Sequence, residues 1–108
     1  MIYIAAPYND LSESVINKRM EAVYNMIYTL AIDKKHAITP LFMHEVVRRY
    51  KMEQSFDFWE SYCFDILSRC DSMIVIMLDG WKDSRGVHSE IDYCKNNGIP
   101  ISYLNVNI

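Results

Sequence analysis

Cysteine, glycine and proline are all scarce in this sequence, with three of each in 108 residues. Cys63, Cys70 and Cys94 are an odd number and none stands at CxxC spacing, which leaves neither a disulfide framework nor a thiolate metal clamp. His36, His44 and His88 form no HExxH and pair with no cysteine at ligand spacing, so no metal site is expected. GxGxxG and GxxxxGK[ST] are absent too, so there is neither a dinucleotide fingerprint nor a P-loop, and no cofactor is expected. Low-complexity stretches and internal repeats are missing.

The longest uninterrupted apolar run, Met73 to Leu78, is six residues, too short to cross a bilayer. The start lacks the basic residues and long apolar stretch of a signal peptide, so a reduced, cytoplasmic protein without a membrane partner is expected. A net charge of −3 and a pI near 5.5 argue against a broadly basic surface for nucleic acid, while leaving room for a local anion pocket.

What is present is globular. Hydrophobic residues make up 51% and charged residues 23%, enough for one domain over residues 1–108 enclosing a single core. Met1 to Ala6, closed by Pro7, reads as a strand buried on both faces. Asp10 and Glu13 stand at capping-box spacing, and Val15, Ile16, Val23, Met26, Ile27, Leu30 and Ala31 then predict an amphipathic helix ending near Asp33 to Lys35. Ala37 to Thr39 is a short strand before Pro40. Leu41 to Gln54, where charges and His44 interrupt the pattern, reads as a loop with some helix.

Phe56, Trp59, Cys63, Ile66, Leu67 and Cys70 share a face and predict a helix from Ser55 to Arg69. Met73 to Leu78 is a buried strand, Asp79 to Arg85 a loop, Gly86 to Asn97 a third helix with Gly98 as its cap, and Ile99 to Leu104 the last strand. Such alternation gives an α/β fold, a flavodoxin- or Rossmann-like three-layer sandwich around a parallel sheet of four to five strands. Ligands of such sheets sit beyond the carboxyl ends of the strands, here Ala5 to Tyr8, Pro40 to His44, Leu78 to Trp81 and Leu104 onward.

At those ends lie the residues that could carry chemistry. Ser84, or a nearby amide, caps the third helix, where free N–H groups and the dipole favour an anion; the plain alternative is a capping serine in a polar turn. Glu90 borders the buried side of that helix, three residues after Val87 and four before Cys94. It is either a first-turn carboxylate favoured by the dipole or a nucleophile at the crevice, ionised at neutral pH. Tyr3 and Tyr8 flank the same crevice, and Tyr8 and Trp81 are candidates for stacking on a flat ligand. Trp59 and the methionines read as core. Tyr3, Tyr8, Asp79, Trp81, Ser84 and Glu90 are expected to converge on one cleft.

Tyr3-Ile4-Ala5-Ala6-Pro7-Tyr8, Pro40-Leu41, Cys70-Asp71-Ser72-Met73, Asp79-Gly80-Trp81, Ser84, Gly86-Val87, Glu90 and Gly98-Ile99-Pro100-Ile101 resemble the nucleoside 2-deoxyribosyltransferase-like superfamily. The match is to its short phage and bacterial branch with GW-x-x-S-x-G-V-x-x-E, and it covers nearly the whole chain. The resemblance implies cleavage of N-glycosidic bonds of nucleosides or nucleoside 5′-monophosphates, with Glu90 as nucleophile oriented by Tyr3. It also implies substrate contacts from Tyr8, Asp79, Trp81, Ser84, Gly86 and Asn105. A serine at position 84, in place of an aspartate, suits a 5′-phosphate, with Arg85 beside it.

Two features depart from the pattern. Cys63 stands where relatives carry an aspartate for the leaving base, and Asp65, about 200° round the helix, is no substitute. Relatives continue past the last strand and contribute a residue to the neighbouring subunit's site, a part that only Asn105 or Asn107 could play here, and the resemblance implies a homodimer or larger homo-oligomer. The alternatives to an enzyme are a non-catalytic binder of a nucleotide or ADP-ribose-like ligand, such as a phage accessory or anti-defence factor, and an interaction protein on an inherited fold.

Overall fold

The computed structural model describes residues 1–53 and 55–105. The elements are β1 (Ile2–Ala5), α1 (Glu13–Ile32), β2 (Ala37–Ile38), α2 (Leu41–Tyr50), α3 (Phe56–Leu67), β3 (Ser72–Ile76), a 3₁₀ turn (Trp81–Asp83), α4 (Arg85–Asn97) and β4 (Ile101–Leu104). All strands are parallel, in the order β2-β1-β3-β4, with Tyr3 opposite Met73 and Met73 opposite Ile101. The protein is an α/β three-layer sandwich of the flavodoxin or Rossmann kind, built on four strands. Among the described residues no helix is long and apolar enough to cross a membrane.

The order of the strands fixes where a ligand can go. From β1 the chain steps one way to β2, and from β3 it steps the other way to β4. With right-handed crossovers the two directions put α1 on one face of the sheet and α2, α3 and α4 on the other. The crevice of such a fold opens where the direction changes, at the carboxyl ends of β1 and β3. Both strands are buried: Tyr3, Ile4, Ala5, Met73, Val75 and Ile76 are shielded almost completely. Alternation along a strand sends Tyr3 and its neighbour Met73 to the same face as α4, whose Cys94 Sγ lies 3.9 Å from Met73 Sδ.

The helix ends show why the chain turns where it does. Ser55 Oγ accepts from Phe58 N at 3.2 Å, and Ser84 Oγ accepts from Val87 N at 3.2 Å, so each serine satisfies one orphan donor of its helix. Gly98 closes α4 at φ 68°, a left-handed conformation that costs glycine nothing. Two expectations fail. Asp10 is not part of a capping box, because its carboxylate accepts from Ser12 N at 2.8 Å, outside the helix, and Ser12 itself is the N-cap without a side-chain bond. Leu41 to Gln54 is not mainly loop: Leu41–Tyr50 is a full helix, entered through Thr39, whose hydroxyl donates to Ile4 O at 3.0 Å and accepts from Leu41 N at 3.3 Å. Arg48 and Arg49 in its last turn complement the helix dipole.

Candidate functional site

A cleft of about 490 Å³ opens at the carboxyl ends of β1 and β3. One wall is the segment after β1, Ala6 to Asn9. The opposite wall is the turn after β3 and the first turns of α4, with Gly80, Asp83, Ser84, Arg85, Gly86, Val87 and Glu90. His44 of α2 and Phe56 and Trp59 of α3 close the third side.

Glu90 lies in this cleft with only 6% of its surface exposed, and it accepts a hydrogen bond from the hydroxyl of Tyr3, which is 0% exposed. No lysine or arginine pairs with it among the described residues. Burial therefore governs its titration: the carboxyl is pushed up to about 8, with the Tyr3 hydrogen bond opposing the shift. This corrects the expectation of an ionised Glu90 at neutral pH. Glu90 lies in the second turn of α4, not the first, so the helix dipole adds little, and one hydroxyl does not offset the loss of water; burial favours its protonated form near neutral pH. Tyr3 itself is raised well above the ordinary phenol range, first by burial and then by the Glu90 charge.

Cys63 also sits beside this pair, 2% exposed, and does not line the cleft. Burial and the Glu90 charge push its thiol up to about 12, so it is a neutral packing group beside Tyr3 and Glu90. Asp65 is exposed and bonded to Arg69 at 3.3 Å, pointing away from the site.

The third side is a column of rings. Tyr8 stacks on His44 with centroids 4.2 Å apart and planes 5° from parallel. His44 in turn lies 3.7 Å from the Trp59 ring, tilted by 35°. Trp59 continues the column to Tyr62 at 5.9 Å. The Tyr8 hydroxyl donates to Glu45 Oε1 at 3.1 Å, and burial together with that carboxylate raises the phenol to about 12. His44 is pushed down to about 4 by burial, so its imidazole is neutral at physiological pH.

Arg19 of α1 holds the cleft's two strand-end segments together. It donates to Tyr8 O at 3.1 Å, Asn9 O at 2.8 Å and Asp79 O at 2.9 Å. Gly80 is required for this: it adopts φ +90°, and a Cβ there would stand 3.1 Å from Arg19 Nη2. Arg85, at the rim, lies 3.7 Å over the Phe56 ring.

The structure thus brings Tyr8, Ser84, Gly86 and Glu90 into the cleft, with Tyr3 directly behind Glu90. Asp79 and Trp81 are not brought in. The Asp79 side chain is exposed and only its carbonyl is engaged, by Arg19, while Trp81 packs 5.9 Å from Tyr103, because the 3₁₀ turn carries its ring toward β4. Asn105 is exposed beyond β4 and outside the cleft, and Asn107 lies outside the described residues. Among the described residues no three histidine, cysteine, aspartate or glutamate side chains could hold a metal ion.

Three site residues carry signals that the periodicity reading passed over. Arg19 falls four after Val15 and four before Val23, on the apolar face of α1. His44 falls three after the buried Leu41. Trp59 is core by burial, at 8% exposed, and yet its indole borders the cleft beside Gly86.

The profile of a domain of unknown function, DUF1937, matches residues 1–106. The chain belongs to that family. No curated protein matches it. The match takes in every element of the sheet and every residue of the cleft, so the site described above belongs to the family's domain.

Proposed function

We propose that this protein cleaves the N-glycosidic bond of a nucleoside or nucleoside 5′-monophosphate, with Glu90 as the nucleophile, and passes the sugar to water or to a second base. The observation that carries this reading is the buried Tyr3–Glu90 pair on the wall of the strand-end cleft. A carboxyl held near pKa 8, without a basic partner among the described residues, costs stability once it ionises, and such groups cluster at functional sites.

The ionised Glu90 attacks the anomeric carbon, and its carboxylate oxygen forms an ester there as the bond to the base breaks. Tyr3 keeps donating to the other carboxylate oxygen, which fixes the attacking one. Water or a second base then opens the ester. Because only the ionised form attacks, kcat/KM should climb with pH, reach half its maximum near pH 8 and level off above that.

Ser84, Gly86 and the free N–H groups at the start of α4 suit the 5′-phosphate. Ser84 Oγ accepts from Val87 N, which leaves its own O–H to donate, and Arg85 stands at the rim. Ser84→Ala should weaken use of a 5′-monophosphate by about 10- to 100-fold while leaving the matching nucleoside nearly unchanged.

The test is to incubate the protein with a panel of ribo- and deoxyribonucleosides and their 5′-monophosphates and to separate free base by chromatography. Release that requires Glu90 supports the reading. Binding without release from any of them would replace it with a non-catalytic nucleotide or ADP-ribose-derivative binder, which keeps the cleft and leaves Glu90 protonated.

A further inference from the structure

Breaking a bond between an anomeric carbon and a base nitrogen needs more than a nucleophile. Negative charge builds on the departing base, and a positioned N–H or O–H donor must meet it. Several donors around the cleft are already engaged, and the Ser84 hydroxyl and the first N–H groups of α4 are the ones suited to the 5′-phosphate. The Tyr8 hydroxyl is spent on Glu45, Tyr3 on Glu90, and the Arg19 guanidinium on three carbonyls. Cys63 is sealed away from the cleft.

His44 is different. It lines the cleft, and among the described residues its imidazole makes no hydrogen bond. Both ring faces are covered, one by Tyr8 at 4.2 Å and the other by Trp59 at 3.7 Å. A base therefore cannot stack on it. Only the ring edge, with one N–H and one bare nitrogen, is left for a ligand, and the two flanking rings fix the plane in which that edge points. Trp59 Nε1 is the other indole or imidazole donor near the cleft, but it sits against α4, 3.9 Å from where a Gly86 Cβ would stand.

We infer that His44 is a catalytic residue of the leaving group: its neutral imidazole donates an N–H to the departing base as Glu90 attacks. This rests on the glycosidic reading above. The step balances without a further reactant. A Glu90 oxygen bonds to the anomeric carbon, the carbon–nitrogen bond breaks, and its electron pair goes to the base nitrogen. The His44 N–H stabilises that charge, and the released base takes a proton from water. A neutral imidazole is suited to this, since it polarises by hydrogen bonding without having to be protonated first. The ring stack explains how the residue is held with no hydrogen bond of its own to the described residues.

The experiment compares two leaving groups on the same sugar 5′-phosphate: a natural base and a nitrophenolate, which departs readily without a donor. Wild type, His44→Phe, His44→Gln and Glu90→Ala are assayed on both, with thermal melts to verify folding. His44→Phe keeps a stacked ring and should lose about 100-fold on the natural base but only a few-fold on the nitrophenolate. His44→Gln restores an N–H and should recover part of the lost rate. Equal losses on both leaving groups, or no loss on the natural base, would overturn the role of His44 while Glu90 dependence keeps the glycosidic reading. Wild type inactive on both substrates would overturn that reading itself, and His44's role with it.

Discussion

Glu90→Gln is expected to make the protein more stable at pH 9 and to change little at pH 5. The carboxyl of Glu90 titrates near 8 in the folded protein and near 4.5 in the unfolded chain, so the folded state holds the extra proton between those values. Stability of the wild type therefore falls as pH rises from about 4.5 to about 8 and is flat above that, on the order of 5 kcal/mol lower. Glutamine is neutral throughout and keeps the shape of the protonated acid, with an oxygen to accept from Tyr3. The Tm gap between variant and wild type should open with pH and reach 10 °C or more, at about 4 °C or more per kcal/mol for a domain of this size. Thermal melts from pH 4 to pH 9 measure it. A gap that stays constant with pH would mean that Glu90 titrates normally and is better solvated than its burial implies.

The second large effect is on turnover. Glu90→Ala should reduce base release by at least about a thousandfold, since removing a nucleophile removes the covalent route and not one part of the binding energy. The fold should survive, because the side chain removed is a buried carboxyl that no cation pairs with among the described residues. Tyr3 is left with an unpaired buried hydroxyl, which costs about 1–3 kcal/mol and partly cancels the gain from losing the buried acid. Activity within a few-fold of wild type would contradict Glu90 as nucleophile.

Where hydrophobic pattern and structure share a cause, the sequence was legible. The apolar runs at β1 and β3 and the helical stripes of α1, α3 and α4 reflect burial against a sheet, and burial is what the pattern encodes. The parallel three-layer architecture followed from alternating strands and helices with right-handed crossovers. The extent of α2 was underestimated for a reason tied to the site. Its inner side carries His44 and Glu45, which meet the rings of the cleft, while Phe42, Val46 and Tyr50 are exposed, so its apolar side is not the side that faces the core. Ser84, Gly86 and Glu90 could be placed because strand ends and helix starts are local features. Trp81 could not, since which way a side chain leaves a 3₁₀ turn is decided by its packing on Tyr103. The titration of Glu90 was misjudged because sequence displays a dipole and a nearby hydroxyl, while the closing of Tyr3, Cys63 and the sheet around the carboxyl belongs to the fold.

The claim that Glu90 attacks the sugar is tested most directly by trapping the intermediate. A nucleotide whose sugar carries fluorine at C2 slows both formation and opening of the glycosyl ester, and a reactive leaving base restores formation, so the ester accumulates. Intact-mass and peptide mass spectrometry then read where the sugar phosphate is attached. The account predicts one added sugar phosphate per chain, on the peptide containing Glu90 and absent from Glu90→Ala. Release of base with no adduct, or an adduct on another residue that survives in Glu90→Ala, would contradict it.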